Sequence, residues 1–92
     1  MKKAALQPGE WLHRSESGLG RDGSRVVTHY RRRILSIDGK RFRLSGIERC
    51  ETTPGQEPGQ WTPYGGFLGR PTEVESERLN KLIKAQGWRC VR

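Results

Sequence analysis

The chain has 92 residues, 32% of them apolar, with 12 Gly and 5 Pro; this limits it to one thin domain with a small core and excludes a large two-domain enzyme. Its 18 Lys and Arg against 10 Asp and Glu give a net charge of +8, and 13 of the cations are Arg. Arginine forks match phosphate or carboxylate in two-point geometry, so the composition favours a polyanionic partner.

Residues 1–24 read as a loose leader. The apolar stretch after Lys2 and Lys3 is only Ala4, Ala5 and Leu6, too short for a secretory signal, and no run approaches the roughly 18 apolar residues of a membrane span. A short strand is expected over Glu10 to Ser15, followed by a turn or loop through Ser24. From Arg25 the composition changes to strand formers: Val26, Val27, Thr28, Tyr30, Ile34, Leu35 and Ile37, then Phe42, Leu44 and Ile47 beyond Asp38-Gly39. Asp-Gly between two such runs is a strong hairpin signal, because a type I′ turn needs positive φ at both central residues. Residues 25–51 are therefore expected to form a basic β-hairpin.

Residues 52–71 hold four Pro and five Gly in twenty positions and read as an irregular loop. A helix over 72–86 is expected next, with Thr72 and Glu75 forming a capping box, Lys81 and Lys84 toward its negative end and Gly87 as its stop. Trp88 to Arg92 is long enough only for an edge strand. The expected fold is α+β: a small antiparallel sheet built on a long hairpin, with one C-terminal helix on one face.

With Asp38 and Gly39 as the turn, strand alternation puts Ile37, Leu35, Phe42, Leu44, Val27 and Cys50 on one face, under Leu79, Leu82 and Ile83 of the helix. The other face collects Tyr30, Arg32, Ile34, Arg41, Arg43, Ile47 and Arg49. Between Arg25 and Arg49 eight cations face two acids, so this stretch carries +6 of the total +8. Like charges stacked on one sheet face repel unless an anion or solvent relieves them. Guanidinium forks for phosphate, interleaved with an aromatic ring for a base, make a nucleic-acid platform, and the expected binding residues are Tyr30, Arg31, Arg32, Arg33, Lys40, Arg41, Arg43 and Arg49. The plainer reading is a solvated strand face whose Arg stems cover Ile34 and Ile47, and a third is an acidic protein partner. Trp61, Tyr64 and Phe67 in the loop read either as a lid on a thin core or as anchors of a protein interface.

No catalytic grouping, metal set or phosphate loop is expected. His13, His29, Cys50 and Cys90 have the types of zinc ligands, but their spacing fits no finger or ribbon, and Gly18-Leu19-Gly20 lacks the rest of a phosphate loop. His29 reads as a surface residue opposite Glu48. Two cysteines 40 positions apart fit unbridged thiols better than a disulfide framework. The expectation is a non-enzymatic protein with no cofactor, no small-molecule substrate and no membrane partner. Its expected partner is a nucleic acid, RNA favoured, or a nucleoprotein.

In size and character, with a basic hairpin around RRRILSIDGKRFRLSG, a Pro and Gly loop and a terminal helix, the chain resembles the small phage-encoded anti-CRISPR proteins that act on a type I-F surveillance complex. That class has no common sequence signature, so no residue is carried over. The resemblance implies an inhibitor in the bacterial host cytoplasm that occupies Cas subunits and guide RNA of a CRISPR-Cas effector. Many such inhibitors are acidic and mimic DNA, whereas +8 directs this chain toward phosphates. The competing readings are a regulator that inserts a β-ribbon into the major groove of DNA and a ribosome-associated or structural basic protein.

Overall fold

The computed structural model describes residues 6–55, 57 and 59–91. Among these, seven strands and one helix follow in the order β1 (Trp11–Leu19), β2 (Arg25–Asp38), β3 (Arg41–Leu44), β4 (Glu48–Thr52), β5 (Thr62–Pro63), β6 (Thr72–Glu75), α1 (Ser76–Gln86) and β7 (Arg89–Val91), with a 3₁₀ turn at Gly66–Gly69. The architecture is the expected one, an antiparallel sheet with one C-terminal helix. β2 is its spine. One part of β2 lies between β1 and β4, giving the order β5-β4-β2-β1-β7, while its far end pairs with β3, which in turn pairs with β6.

The leader contributes more than a short strand. β1 runs nine residues and pairs along its whole length with Arg25 to Arg33, and the turn joining the two strands is closed by the Asp22 carboxylate, which accepts from the Ser24 amide at 3.0 Å. β7 pairs with β1 at Trp11 to His13.

The β2–β3 turn differs from the expected one. Asp38 pairs with Arg41, so the turn residues are Gly39 and Lys40. Gly39 has φ +59 and no residue other than glycine has a positive φ among those described, which is the type II′ pattern with glycine first. A slide of two positions alone would leave every side chain on its expected face. The β-bulge between Ile34 and Ser36 does not: the extra residue lets Ile34 and Ile37 both point into the core and turns Leu35 out to 44% exposure. On the far side of the bulge Ser45 replaces the regular ladder. Its amide donates to Arg33 O at 2.8 Å and its hydroxyl accepts from the Arg33 amide at 2.7 Å.

The core is Leu12, Tyr30, Ile34, Leu44, Ile47, Leu79 and Trp88, with Ile37, Phe42, Tyr64, Val74 and Ile83 packed around it. The expected helix-covered face, with Leu35 on it and Tyr30, Ile34 and Ile47 outside, is therefore corrected by the bulge. Residues 72–75 are a strand rather than a first helical turn. Arg41 pairs with Glu75 and Arg43 with Glu73 while Val74 packs on the core, so cross-strand charge pairs and alternation outcompete the capping box. The helix begins at Ser76, whose amide donates to Lys40 O at 2.7 Å, with no side-chain cap from Glu75, and ends at Gly87 with φ +75. Leu79 is its buried anchor, while Leu82 is half-buried.

The Gly and Pro segment is seated on Ile47. Ile47 donates to Leu68 O at 2.9 Å and accepts from the Tyr64 amide at 2.8 Å. Gly46 faces the backbone of Gly69 with no room for a side chain.

Candidate nucleic-acid interface

Once the helix covers one side of the sheet, strand alternation decides what the other side shows. β1 presents Trp11 and His13 there, β2 presents His29, Arg31 and Arg33, β4 presents Glu48, and β7 presents Arg89; the cross-strand pairs Trp11 with Arg33, His13 with Arg31, His13 with Arg89 and Arg31 with Glu48 put them on one face. Trp61, just before β5, closes the row. The Arg31 guanidinium carbon lies 4.2 Å from the Trp61 ring centre and 4.7 Å from that of Trp11, and that of Arg33 lies 5.6 Å from the Trp11 ring centre. Arg33, Trp11, Arg31 and Trp61 thus alternate as guanidinium and indole. The Arg31 Nε donates to Glu48 at 3.0 Å, which fixes the plane of the middle guanidinium.

Beside the row lies an open trough of about 330 Å³, lined by Trp11, Arg33, Leu35, Ile47, Pro63 and Pro71 among others. Leu35 reaches it because the bulge expels that side chain from the core. Farther along β1 and β2, His13 and His29 stack with ring centres 5.5 Å apart and 25° between planes. His29 stands opposite Cys50, not opposite Glu48 as expected. Partial burial, then the neighbouring His29 and Arg89, hold the His13 imidazole below its ordinary titration range.

The eight residues expected to bind nucleic acid are dispersed. Arg31 and Arg33 are on the open face. Tyr30 is buried in the core and its hydroxyl donates to Glu16 at 2.7 Å. Arg32 points to the core side, where its Nε and Nη2 donate to Ser45 O at 3.2 and 2.9 Å; burial disfavours its charged form. Arg49 shares the Tyr30 side and lies 5.8 Å from the Tyr64 ring. Lys40 occupies the β2–β3 turn, and Arg41 and Arg43 project away from the core beside Asp38, Glu73 and Glu75, with Arg41 3.8 Å from Glu73. The single ladder expected from the sequence is corrected by the bulge, which gives Arg32 and Arg49 to the core side, and by β6, which sets Glu73 and Glu75 across from Arg43 and Arg41.

The three loop aromatics part company as well. Trp61 joins the open face, Tyr64 packs 5.9 Å from Tyr30 against the core, and Phe67 is 80% exposed. Trp11, His13 and Arg89 were missed as site residues; the signal was alternation in the Trp11-Leu12-His13 run, legible only once β1 is known to pair with β2. Cys50 is buried on β4 and Cys90 is exposed on β7, and they are not bridged. Among the described residues no group of three or more His, Cys, Asp and Glu is placed to hold a metal ion, and no helix is long and apolar enough to cross a membrane.

No known protein family, curated protein or solved structure matches the chain.

Proposed function

We propose that the protein is a non-enzymatic binder of single-stranded nucleic acid, RNA favoured, either free or held in a ribonucleoprotein such as a CRISPR-Cas effector. The observation that carries this reading is the alternation of Arg33, Trp11, Arg31 and Trp61 across the sheet face that the helix leaves open. Aromatic and guanidinium planes accept bases by stacking without needing a particular sequence. Phosphate oxygens are met by the exposed Arg33 and Arg89. Arg31, held by Glu48, sets the spacing of the two indoles rather than contacting the backbone.

The alternative of a β-ribbon in the major groove draws on the end of the β1–β2 hairpin beyond β7. That end carries Arg21 and Arg25 against Glu16 and Asp22 and so has no net formal charge, which suits a polyanion less well than the open face. Tryptophan fluorescence titrated with a short oligouridylate and with a duplex of matching length separates the readings. The single strand is expected to quench Trp61 stoichiometrically, with log affinity falling against log salt by about 0.7 per phosphate contact. Tighter binding of the duplex, or no quenching by either, would overturn the proposal.

A further inference from the structure

His13 occupies an unusual place for an imidazole. It lies on β1 between two arginines, Arg31 opposite it on β2 and Arg89 opposite it on β7, and it stacks on His29. On β4, Cys50 stands opposite His29, and the acid of that strand on this face, Glu48, is engaged by Arg31 at 3.0 Å. The charged groups around the stacked pair on this face are thus cationic, with that one carboxylate already taken. His13 has little reason to accept a proton by itself, since partial burial and then the neighbouring His29 and Arg89 disfavour its charged form. An anion placed on it changes the balance, because Arg89 then gains a partner and protonation of the imidazole adds a further charge-assisted hydrogen bond.

We infer that His13, His29 and Arg89 form a phosphate subsite on the open face, and that its occupation by a phosphodiester or a free phosphate is coupled to proton uptake by the histidine pair. The inference rests on the proposed nucleic-acid reading for its place in a longer binding path: the indole and guanidinium row takes bases, and the cluster beside it takes the backbone between them. The partial burial and the neighbouring His29 and Arg89 that hold His13 below its ordinary range agree with this arrangement. By linkage, a ligand that raises the imidazole pKa binds more tightly as pH falls. A rise of about one unit on binding would make the complex about tenfold tighter at the acid plateau than at neutral pH.

The test follows the histidine Cε1–H resonances of the full chain against pH, alone, with inorganic phosphate and with a short oligouridylate. Calorimetry of the oligouridylate complex in two buffers of different ionisation enthalpy counts the protons exchanged. The expected result is a His13 midpoint that rises with either ligand, with net proton uptake on oligouridylate binding that is lost in His13→Asn and reduced in Arg89→Gln. Oligouridylate binding with no proton uptake and no movement of the His13 midpoint would overturn the subsite and leave the nucleic-acid reading standing. A midpoint raised by inorganic phosphate in a protein that binds no oligouridylate would keep the subsite and sink the nucleic-acid reading. No shift with either ligand would overturn the subsite. The unsubstituted protein carries the decisive readout, so failure of a variant to fold does not disturb the test.

Discussion

Arg32 and Arg43 are eleven positions apart in one basic hairpin, and their environments give them opposite roles. Arg32 spends two N–H groups on Ser45 O at the point where the bulge interrupts the ladder, whereas Arg43 is exposed and faces Glu73 across β3 and β6. Arg32→Gln is therefore expected to destabilise the protein by about 1.5 to 3 kcal/mol, the usual worth of a hydrogen bond to a charged group, while Arg43→Gln, a substitution at an exposed position, costs less than about 1 kcal/mol. Urea melts of the two variants check the contrast, and equal midpoints would remove Arg32 from the structural framework. His13 supplies a pH signature at the same scale. Its folded pKa lies below the ordinary 6.5, so on acidification the unfolded chain takes up the proton first. Stability is then fully present above about pH 6.5 and declines as pH falls through that value, levelling off below the folded pKa. Glu16, also held below its ordinary range by the Tyr30 hydroxyl, acts in the same direction but only under its ordinary 4.5. Thermal melts between pH 8 and pH 5 should show a falling melting temperature that His13→Asn flattens.

At the scale of elements the helix is a small piece with one strong attachment. Leu79 is 3% exposed among Leu12, Ile34 and Leu44, while Leu82 lies at the helix margin outside the core cluster. Leu79→Ala is expected to cost about 2 to 5 kcal/mol, with a smaller loss for Leu82→Ala; denaturant titration with far-ultraviolet dichroism measures both, and the reverse order would mean that the helix is rotated. The helix, the hairpin, the edge strand and the Gly87 stop were legible because each depends on local pattern: alternation of apolar residues, a glycine turn, a capping glycine. The bulge at Leu35 was not. The alternation of the YRRRILSID run is broken by Ile34 and Leu35 side by side, and sequence alone offers no means of choosing which of the two enters the core; that choice is made by Leu44, Ile47 and the Ser45 bridge. The strand at Thr72–Glu75 was hidden for a related reason. Thr, Glu, Val and Glu suit a capping box and an alternating edge strand equally well, and only the arginines of β3, thirty residues earlier in the chain, decide between them.

Across the whole molecule, net charge is a poorer guide to the binding face than the separation of its charges. The protein measures 47 × 34 × 20 Å, its long axis about five times the screening length of about 8 to 10 Å at physiological salt, so arginines at the β2–β3 turn and on the open face act largely independently. Arg41 and Arg43 stand among Asp38, Glu73 and Glu75, whereas Arg33 and Arg89 flank a row in which Glu48 is the acid and is bound to Arg31. Two double variants, Arg33→Gln with Arg89→Gln and Arg41→Gln with Arg43→Gln, remove the same formal charge from these two places, and all four side chains are exposed. If the open face is the binding surface, the first pair weakens oligouridylate binding and lowers the steepness of its salt dependence by about 1.4, at about 0.7 per lost single-strand contact. The second pair leaves both nearly unchanged, because Arg41 is paired with Glu73 and Arg43 stands across from the same acidic strand. Equal effects would mean that the polyanion responds to total charge alone and not to a formed site, and a larger effect from Arg41 and Arg43 would move the interface to the turn, where Glu73 and Glu75 would have to give way to phosphate.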